Sequence, residues 1–232
     1  MRGVGVHERS VSRISGVGVV EVSLTADGGT LLYSSYEGPV FQPKPLVVKR
    51  LSVEGGPSQT VLHAAAYASF RCPRTPGVPC VLGESRGNEL VFTSFDPMGG
   101  DPHQLAVLPF SKCRWELSPE GTEVAIWDDN QARPNGIRLV EFARPNATRV
   151  ARVTYPGRIA SLVWTPDSQG LVIAQEVGSG GQLTYLGSDG QTSNLWANSN
   201  VLPGSLSISP DGKRIAFSNL EYRANAWLLE NF

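Results

Sequence analysis

Apolar and polar residues alternate along several short stretches of the chain, and a turn motif interrupts each stretch. In residues 207–218, an alternating run enters the motif Ser-Pro-Asp-Gly at 209–212, and a second apolar run leaves it. Proline presets φ, aspartate can bond its own backbone, and glycine accepts a positive φ, so the motif is typical of a tight turn. Two runs around such a turn predict a β-hairpin. The same pattern recurs at 22–33, 115–126 and 162–173.

The acidic residues of these turns give the length of a repeat. Asp167 and Asp211 are 44 residues apart, Glu120 and Asp167 are 47 apart, and Asp27 and Glu120 are 93 apart. The last spacing is close to two repeats, so a further copy is expected near residue 74, with its turn at 75–77. Repeats of roughly 40–50 residues made of short strands are typical of a β-propeller with one four-stranded blade per repeat.

The sequence therefore predicts an all-β protein, a β-propeller of about five four-stranded antiparallel blades, which is either a small closed ring or part of a larger one. We expect a single domain over residues 1–232. The predicted blades cover about 16–63, 64–110, 111–153, 154–200 and 201–232. The last blade has room for three strands, and residues 9–15 are the candidate for its missing strand. Trp115 and Trp127 are expected to pack between blades rather than to form a ligand cage.

The repeats resemble the WD-like Pro-Asp repeats of TolB-type propellers. More narrowly, residues 70–82, 91–97 and 226–232 are similar to the C-terminal extracytoplasmic propellers of bacterial serine/threonine kinases and winged-helix regulators. The resemblance implies that the chain is a tail of a larger bacterial signalling protein. Because propellers carry many unrelated activities, the repeat motif indicates the fold much more strongly than the function.

Composition and charge narrow the choice of partners. The formal net charge is −1 and the sequence pI is about 6.3, which gives no basic surface for nucleic acid. No run approaches the roughly 20 apolar residues that span a bilayer, and residues 1–9 lack the apolar core of a signal peptide. We therefore expect no nucleic-acid partner and no direct membrane insertion by this chain.

Two of the three cysteines are placed to form a bridge. Cys72 ends the strand that enters the turn of the second blade, and Cys80 begins the strand that leaves it, so the two face each other across an antiparallel pair. Two buried thiols are the alternative. Because disulfides persist in oxidising compartments, the bridge and the resemblance together predict an extracytoplasmic, periplasmic location. Cys113 is expected to be a buried thiol outside the bridge.

Catalytic and metal signals are weak. Gly83, Ser85 and Gly87 have the spacing of a nucleophile elbow, but that motif needs a strand-to-helix turn, and a strand is predicted to follow here. The histidines and Cys113 form no ligand pairs at metal spacing. We therefore expect no enzyme activity, no metal and no other cofactor.

Two functions from different classes remain. The first is a non-enzymatic binding or sensing propeller for a protein or peptide partner or a small envelope ligand. The alternative is an accessory propeller that gates substrate to the catalytic domain of a peptidase or hydrolase. Loop position and side-chain type give the candidate partner-binding residues Tyr36, Phe41, Arg133, Tyr222 and Arg223.

Overall fold

The computed structural model describes residues 19–36, 45–109, 113–128, 136–146, 149–152 and 157–220. Within these ranges the chain forms eighteen β-strands and no helix. Blade 1 contains β1 (Val19–Leu24), β2 (Thr30–Tyr36), β3 (Leu46–Ser52) and β4 (Gln59–Ala64). Blade 2 contains β5 (Ala68–Arg71), β6 (Cys80–Arg86), β7 (Glu89–Phe95) and β8 (His103–Leu108). Blade 3 contains β9 (Cys113–Leu117), β10 (Glu123–Asp128), β11 (Gly136–Glu141) and β12 (Arg149–Arg152). Blade 4 contains β13 (Arg158–Trp164), β14 (Gly170–Val177), β15 (Gly180–Gly187) and β16 (Thr192–Asn198). Blade 5 contains β17 (Leu202–Ile208) and β18 (Ile215–Leu220).

Each of blades 1 to 4 is an antiparallel sheet whose four strands follow one another in chain order. The prediction of an all-β protein made of four-stranded antiparallel sheets is therefore confirmed. Blade 5 shows two paired strands in the described part of the chain. Residues 9–15, the candidate strand for its completion, lie outside the described residues.

The turns between the first two strands of blades 1, 4 and 5 share one arrangement. In blade 4, Asp167 Oδ1 accepts hydrogen bonds from Thr165 Oγ1 at 2.6 Å and from Gln169 N at 3.1 Å. The hydroxyl bond lowers the pKa of Asp167, and the backbone bond adds to the effect. Ser168 stands where the other turns have glycine, and it adopts a positive φ of 55°. The predicted turn motif is thus a carboxylate that caps its own hairpin.

The core consists of apolar layers between neighbouring blades. One layer joins blades 2 and 3, where Trp115 packs edge-on against Phe92 with ring centroids 5.1 Å apart. Trp115 also covers Gly83, where an added Cβ would lie 2.6 Å from its Nε1. Trp127 packs in the next layer with Trp164 of blade 4. Both tryptophans therefore pack between blades, as the sequence predicts.

Blade 1 has an open apolar face. Val20, Val22 and Leu24 of β1 are each about half exposed, whereas Phe70 of β5 and Trp115 of β9 are buried. Alternate residues of a strand share one face, so the three aliphatic side chains form a stripe. Within the described residues, no other blade covers this stripe, which is consistent with a partial propeller.

Two cysteines form a bridge in the second blade, as the sequence predicts. Cys72 and Cys80 are joined by a disulfide, with their Cα atoms 4.2 Å apart. Cys113 lies outside the bridge, at the start of β9, but it is half-buried. The prediction of a buried Cys113 is therefore wrong, because the first residue of this inner strand borders a cavity that opens to solvent.

Candidate functional site

The first strands of the blades surround a central cavity. Neighbouring blades touch through these strands: β1 contacts β5, β9 contacts β13, and β13 contacts β17. The cavity has a volume of 1320 Å³ and is lined mainly by residues at or near the beginnings of β5, β9, β13 and β17. We call this cavity the cup and the end of the propeller where these strands begin the mouth. The opposite end, where the same strands lead into the hairpin turns, is the turn face.

Polar and aromatic side chains share the lining of the cup. Four aromatic residues contribute to it, together with three arginines, two glutamates and several serines. The aromatic and charged lining residues are Tyr36, Tyr67, Trp115, Trp127, Arg71, Arg114, Arg158, Glu116 and Glu176.

An arginine on β5 connects three blades at the floor of the cup. Arg71 pairs with Glu21 of β1, and its Nε donates to Glu116 Oε2 of β9 at 2.9 Å. Its guanidinium also lies 5.4 Å from the centre of the Trp115 ring, which is a cation–π geometry. Glu21 Oε2 accepts a further bond from Phe70 N at 2.8 Å. The network ties the inner strands of blades 1, 2 and 3 together.

Burial and ion pairing shift the pKa values of this network in opposite directions. Burial raises the pKa of Glu116, and the neighbouring Arg71 offsets only part of that rise. Burial also opposes ionisation of Arg71, but Glu116 and Glu21 outweigh it and raise the arginine pKa above its usual range. Arg71 is therefore always charged. Ionisation of Glu116 is less favourable in the folded protein than in water, because its pKa is raised.

Two further arginines lie nearer the mouth. Arg114 Nη1 donates to Ala160 O at 3.1 Å, which links blade 3 to blade 4. Arg158 Nε donates to Glu176 Oε2 at 3.0 Å within blade 4, and a second nitrogen of Arg158 pairs with Glu176 Oε1. Because Arg158 and Glu176 neutralise each other, as Arg71 does with its carboxylates, the cup presents hydrogen-bonding groups without a strong excess of one charge.

Tyrosines of blades 1 and 2 border the cup. Tyr36 is half-buried at the end of β2, and its hydroxyl donates to Ala66 O at 3.2 Å. Tyr67, directly before β5, lines the cup with 74% of its surface exposed. A large aromatic side chain with this exposure at the edge of a cavity is available for contact with a partner.

The structure places one of the predicted partner-binding residues at the cup. Tyr36 lines it, whereas Phe41, Arg133, Tyr222 and Arg223 lie outside the described residues. Sequence reasoning missed Tyr67, Arg71 and Glu116. The position of Tyr67 immediately before a first strand was the available signal, because all first strands converge on the axis of a propeller.

The nucleophile-elbow spacing does not produce an elbow. Ser85 belongs to β6, which turns at 87–88 into β7 instead of into a helix. Ser85 lines the cup, but His63 and His103, the described histidines, lie on the outer strands β4 and β8. The described residues thus bring no imidazole to Ser85.

The part of the chain that the structure describes has neither a metal-binding cluster nor a membrane-spanning helix. In this part of the chain, no group of three His, Cys, Asp or Glu side chains is placed to hold a metal ion. The described ranges also contain no helix that could cross a membrane. The absence of a cofactor stays a prediction.

Comparisons with known proteins identify relatives in fold. No family model matches the chain, and no curated protein matches it. A TolB-type protein from Agrobacterium tumefaciens superposes with a TM-score of 0.68 at 16% identity, over 88% of this chain and 71% of that one. A chain of a nidogen/laminin complex gives 0.64 at 13% identity, over 87% and 72%. The Cps50 (Swd1) β-propeller domain of Myceliophteria thermophila gives 0.61 at 13% identity, over 89% and 64%.

These similarities concern the fold, because all three identities are low. They agree with the four-stranded antiparallel sheets of the described residues. The chain therefore has a TolB-like β-propeller fold. The cup is the candidate binding site, because a large concave pocket with a few convergent polar groups is the default location for a binding site.

Proposed function

We propose that this chain is a non-enzymatic binding propeller that takes a segment of a protein or peptide partner, or a small envelope ligand, into the cup. The observation that carries the proposal is the cup itself, with the exposed ring of Tyr67 at its edge. Pockets for small molecules usually measure about 300–1,000 Å³. At 1320 Å³ the cup exceeds that range, so a peptide segment fits it better than a small metabolite.

The lining suits recognition of a polar, uncharged or mixed-charge segment. The three arginines of the cup already have carboxylate or carbonyl partners, so a strongly charged ligand would have to displace an existing contact. Tyr36, Tyr67 and the serines offer contacts that do not require such displacement. The same balance of charge supports the expectation that nucleic acid is not the partner.

We further propose that the domain operates outside the cytoplasm as part of a larger bacterial signalling protein. The Cys72–Cys80 bridge supports the location, because disulfides are rare in the cytosol. The signalling role rests on the resemblance of residues 70–82, 91–97 and 226–232 to the tails of kinases and winged-helix regulators. Sequencing of the source DNA around the coding region would test this part, and a catalytic peptidase domain in the same protein would favour the accessory propeller instead.

A peptide-display selection against the purified chain tests the binding role. We expect enriched peptides whose affinity falls by about tenfold or more, which is about 1.4 kcal/mol, when Tyr67→Ser removes the exposed ring. Ser205→Trp, at an exposed position that lines the cup, should block the same peptides by filling the mouth.

The matched control is Leu195→Ser, which removes an exposed apolar side chain from the outer strand β16, away from the cup. It should leave binding unchanged. Melting temperatures of all three variants should stay close to the parent value, because the changed side chains are exposed. Peptides that bind both cup variants as tightly as the parent chain would contradict the assignment of the cup.

A further inference from the structure

The loop between β5 and β6 differs from the other first hairpin turns. It contains residues 73–79, and the disulfide between Cys72 and Cys80 closes it at its base. The corresponding turns of blades 1, 4 and 5 are held by their own aspartates. The loop in blade 2 has no such carboxylate. One backbone bond lies within it, from Val78 N to Thr75 O at 3.4 Å, and the bridge and contacts with other blades supply the rest of its support.

The loop is fastened to the neighbouring turn of blade 3. Arg74 N donates to Pro119 O at 2.9 Å, and Thr75 Oγ1 donates to the same oxygen at 3.2 Å. Pro73 and Val78 pack against Gly121, where an added Cβ would lie 2.7 Å and 2.9 Å from their side chains. These contacts hold the loop down on the turn face.

The side chain of Arg74 contacts a blade that is not adjacent to blade 2. Its Nη2 donates to Ile208 O at 3.3 Å, at the end of β17 in blade 5. Blades 3 and 4 separate blades 2 and 5 along the ring, so the side chain has to reach across the central axis. Arg74 also lowers the pKa of Glu116, which lines the floor of the cup, although burial and Arg71 have larger effects there.

The hairpin turns of neighbouring blades also contact one another on the turn face. Ser168 Oγ of blade 4 donates to Glu120 Oε2 of blade 3, and Gly212 of blade 5 lies beside Pro166 of blade 4. Blades 2 to 5 are thus joined turn to turn, and Arg74 connects the two ends of this series. The Arg74 side chain therefore crosses the turn-face end of the central channel, and the turn contacts of blades 2 to 5 surround that end.

We propose that the 73–79 loop is a redox-controlled latch over the turn-face end of the central channel. A dithiol reductant would transfer two electrons to the bridge: one of its thiolates attacks Cys72 Sγ, the half-buried sulfur, and Cys80 leaves as a thiolate that takes up a proton. The second reductant thiol then displaces Cys72, which leaves the reductant as a disulfide and the chain with two thiols. The reduced loop loses its closed base and releases Arg74 from Pro119 and Ile208, which opens the channel at that end.

Hydrogen exchange followed by mass spectrometry tests the latch on the full chain, without any ligand. In the oxidised protein the Arg74 amide is bonded to Pro119 O, so the peptide covering 72–79 should exchange slowly. Dithiothreitol should speed its exchange by about tenfold or more and should accelerate tryptic cleavage after Arg74, while blade 4 keeps its protection. Reoxidation should restore both. Unchanged exchange and cleavage would overturn the proposal.

A variant with the bridge intact separates the arginine from the disulfide. Arg74→Ala should raise exchange in the loop of the oxidised protein by several-fold, because the link to Ile208 is lost. Arg144→Ala is the matched control, since Arg144 is an exposed arginine whose carboxylate partner, Glu141, lies three residues away on the surface of blade 3.

Two results would refute the latch. One is a loss of protection on reduction that is even across all blades, which would make the bridge a general stabiliser of the fold. Alternatively, Arg74→Ala could leave loop exchange at the level of the Arg144→Ala control, so that the arginine would have no part in closure. The latch requires no bound partner, and its failure would leave the proposed binding role of the cup standing.

Discussion

The contact between Gly83 and Trp115 predicts that a single added methyl group weakens the joint between blades 2 and 3. In Gly83→Ala, the new Cβ would lie 2.6, 2.7 and 2.9 Å from three atoms of the indole. Real carbon contacts are about 3.5–4.0 Å, so the ring has to move by about 1 Å. It has little room, because Trp115 is buried and packs edge-on against Phe92.

The expected cost combines two effects. Overpacking of a well-filled core costs about 1–3 kcal/mol. Displacement of the indole also weakens its aromatic pair with Phe92, worth about 0.5–1.5 kcal/mol, and its cation–π contact with Arg71, worth about 0.5–2 kcal/mol. Gly83→Ala should therefore lower the free energy of unfolding by about 2–6.5 kcal/mol, which is a large part of the 5–15 kcal/mol typical of folded proteins.

Urea denaturation followed by tryptophan fluorescence measures this change. The midpoint should fall with an unchanged slope, which shows a loss of stability without a change in the surface exposed on unfolding. Gly29→Ala is the matched control, since its Cβ would meet nothing closer than 3.6 Å and its φ is not positive. In a double-mutant cycle, Trp115→Leu should remove most of the penalty of Gly83→Ala. Equal midpoints for the Gly83 and Gly29 variants would refute the reasoning.

Three further predictions concern the cysteines and two carboxylates. The chain unfolded without reductant should show one titratable thiol, that of Cys113, and it should show three after reduction. Three titratable thiols before reduction would contradict the bridge. Asp167→Asn should lower the melting temperature near pH 7, because the pKa of Asp167 is lowered in the folded protein and its ionised carboxylate stabilises the fold. The difference in melting temperature between parent and variant should shrink as the pH falls below the ordinary pKa of 3.8 and the carboxylate becomes protonated. Glu116 has the opposite pH dependence, because its pKa is raised in the folded protein. Its contribution to the stability of the fold is present below the ordinary pKa of 4.5 and is lost as the pH rises. Melting curves should therefore show that the parent loses stability relative to Glu116→Gln as the pH rises above 4.5, and a constant difference would contradict the shift.

Local sequence patterns predicted the hairpins because each one is determined within a few residues. The hairpin expected within 22–33 is present as β1 (Val19–Leu24) and β2 (Thr30–Tyr36), which pair on either side of its turn. The turn expected at 75–77 lies in the loop that joins β5 to β6, and Gly77 has the positive φ that such a turn needs.

The contacts between blades could not be predicted in the same way. The Arg71 pairs join residues 45 and 50 positions apart, and the Arg74 bond to Ile208 spans 134. No periodicity specifies which charged side chains meet across a ring. Glu120 illustrates the difference: it occupies the place of the turn aspartate, yet it accepts a bond from Ser168 of the next blade, while Ser118 Oγ accepts the turn's backbone bonds.

The bond from Arg74 to Ile208 has a consequence for folding cooperativity. All described strand pairs lie within single blades, and the apolar layers join one blade to the next. A repeat array of this kind unfolds approximately as a chain of units coupled only to their neighbours, so its ends can melt independently. Arg74 adds a coupling that skips two units. Unfolding of blade 5 should therefore reduce the stability of blade 2. While the Cys72–Cys80 loop holds Arg74 in place, the array should unfold more nearly as a single cooperative unit.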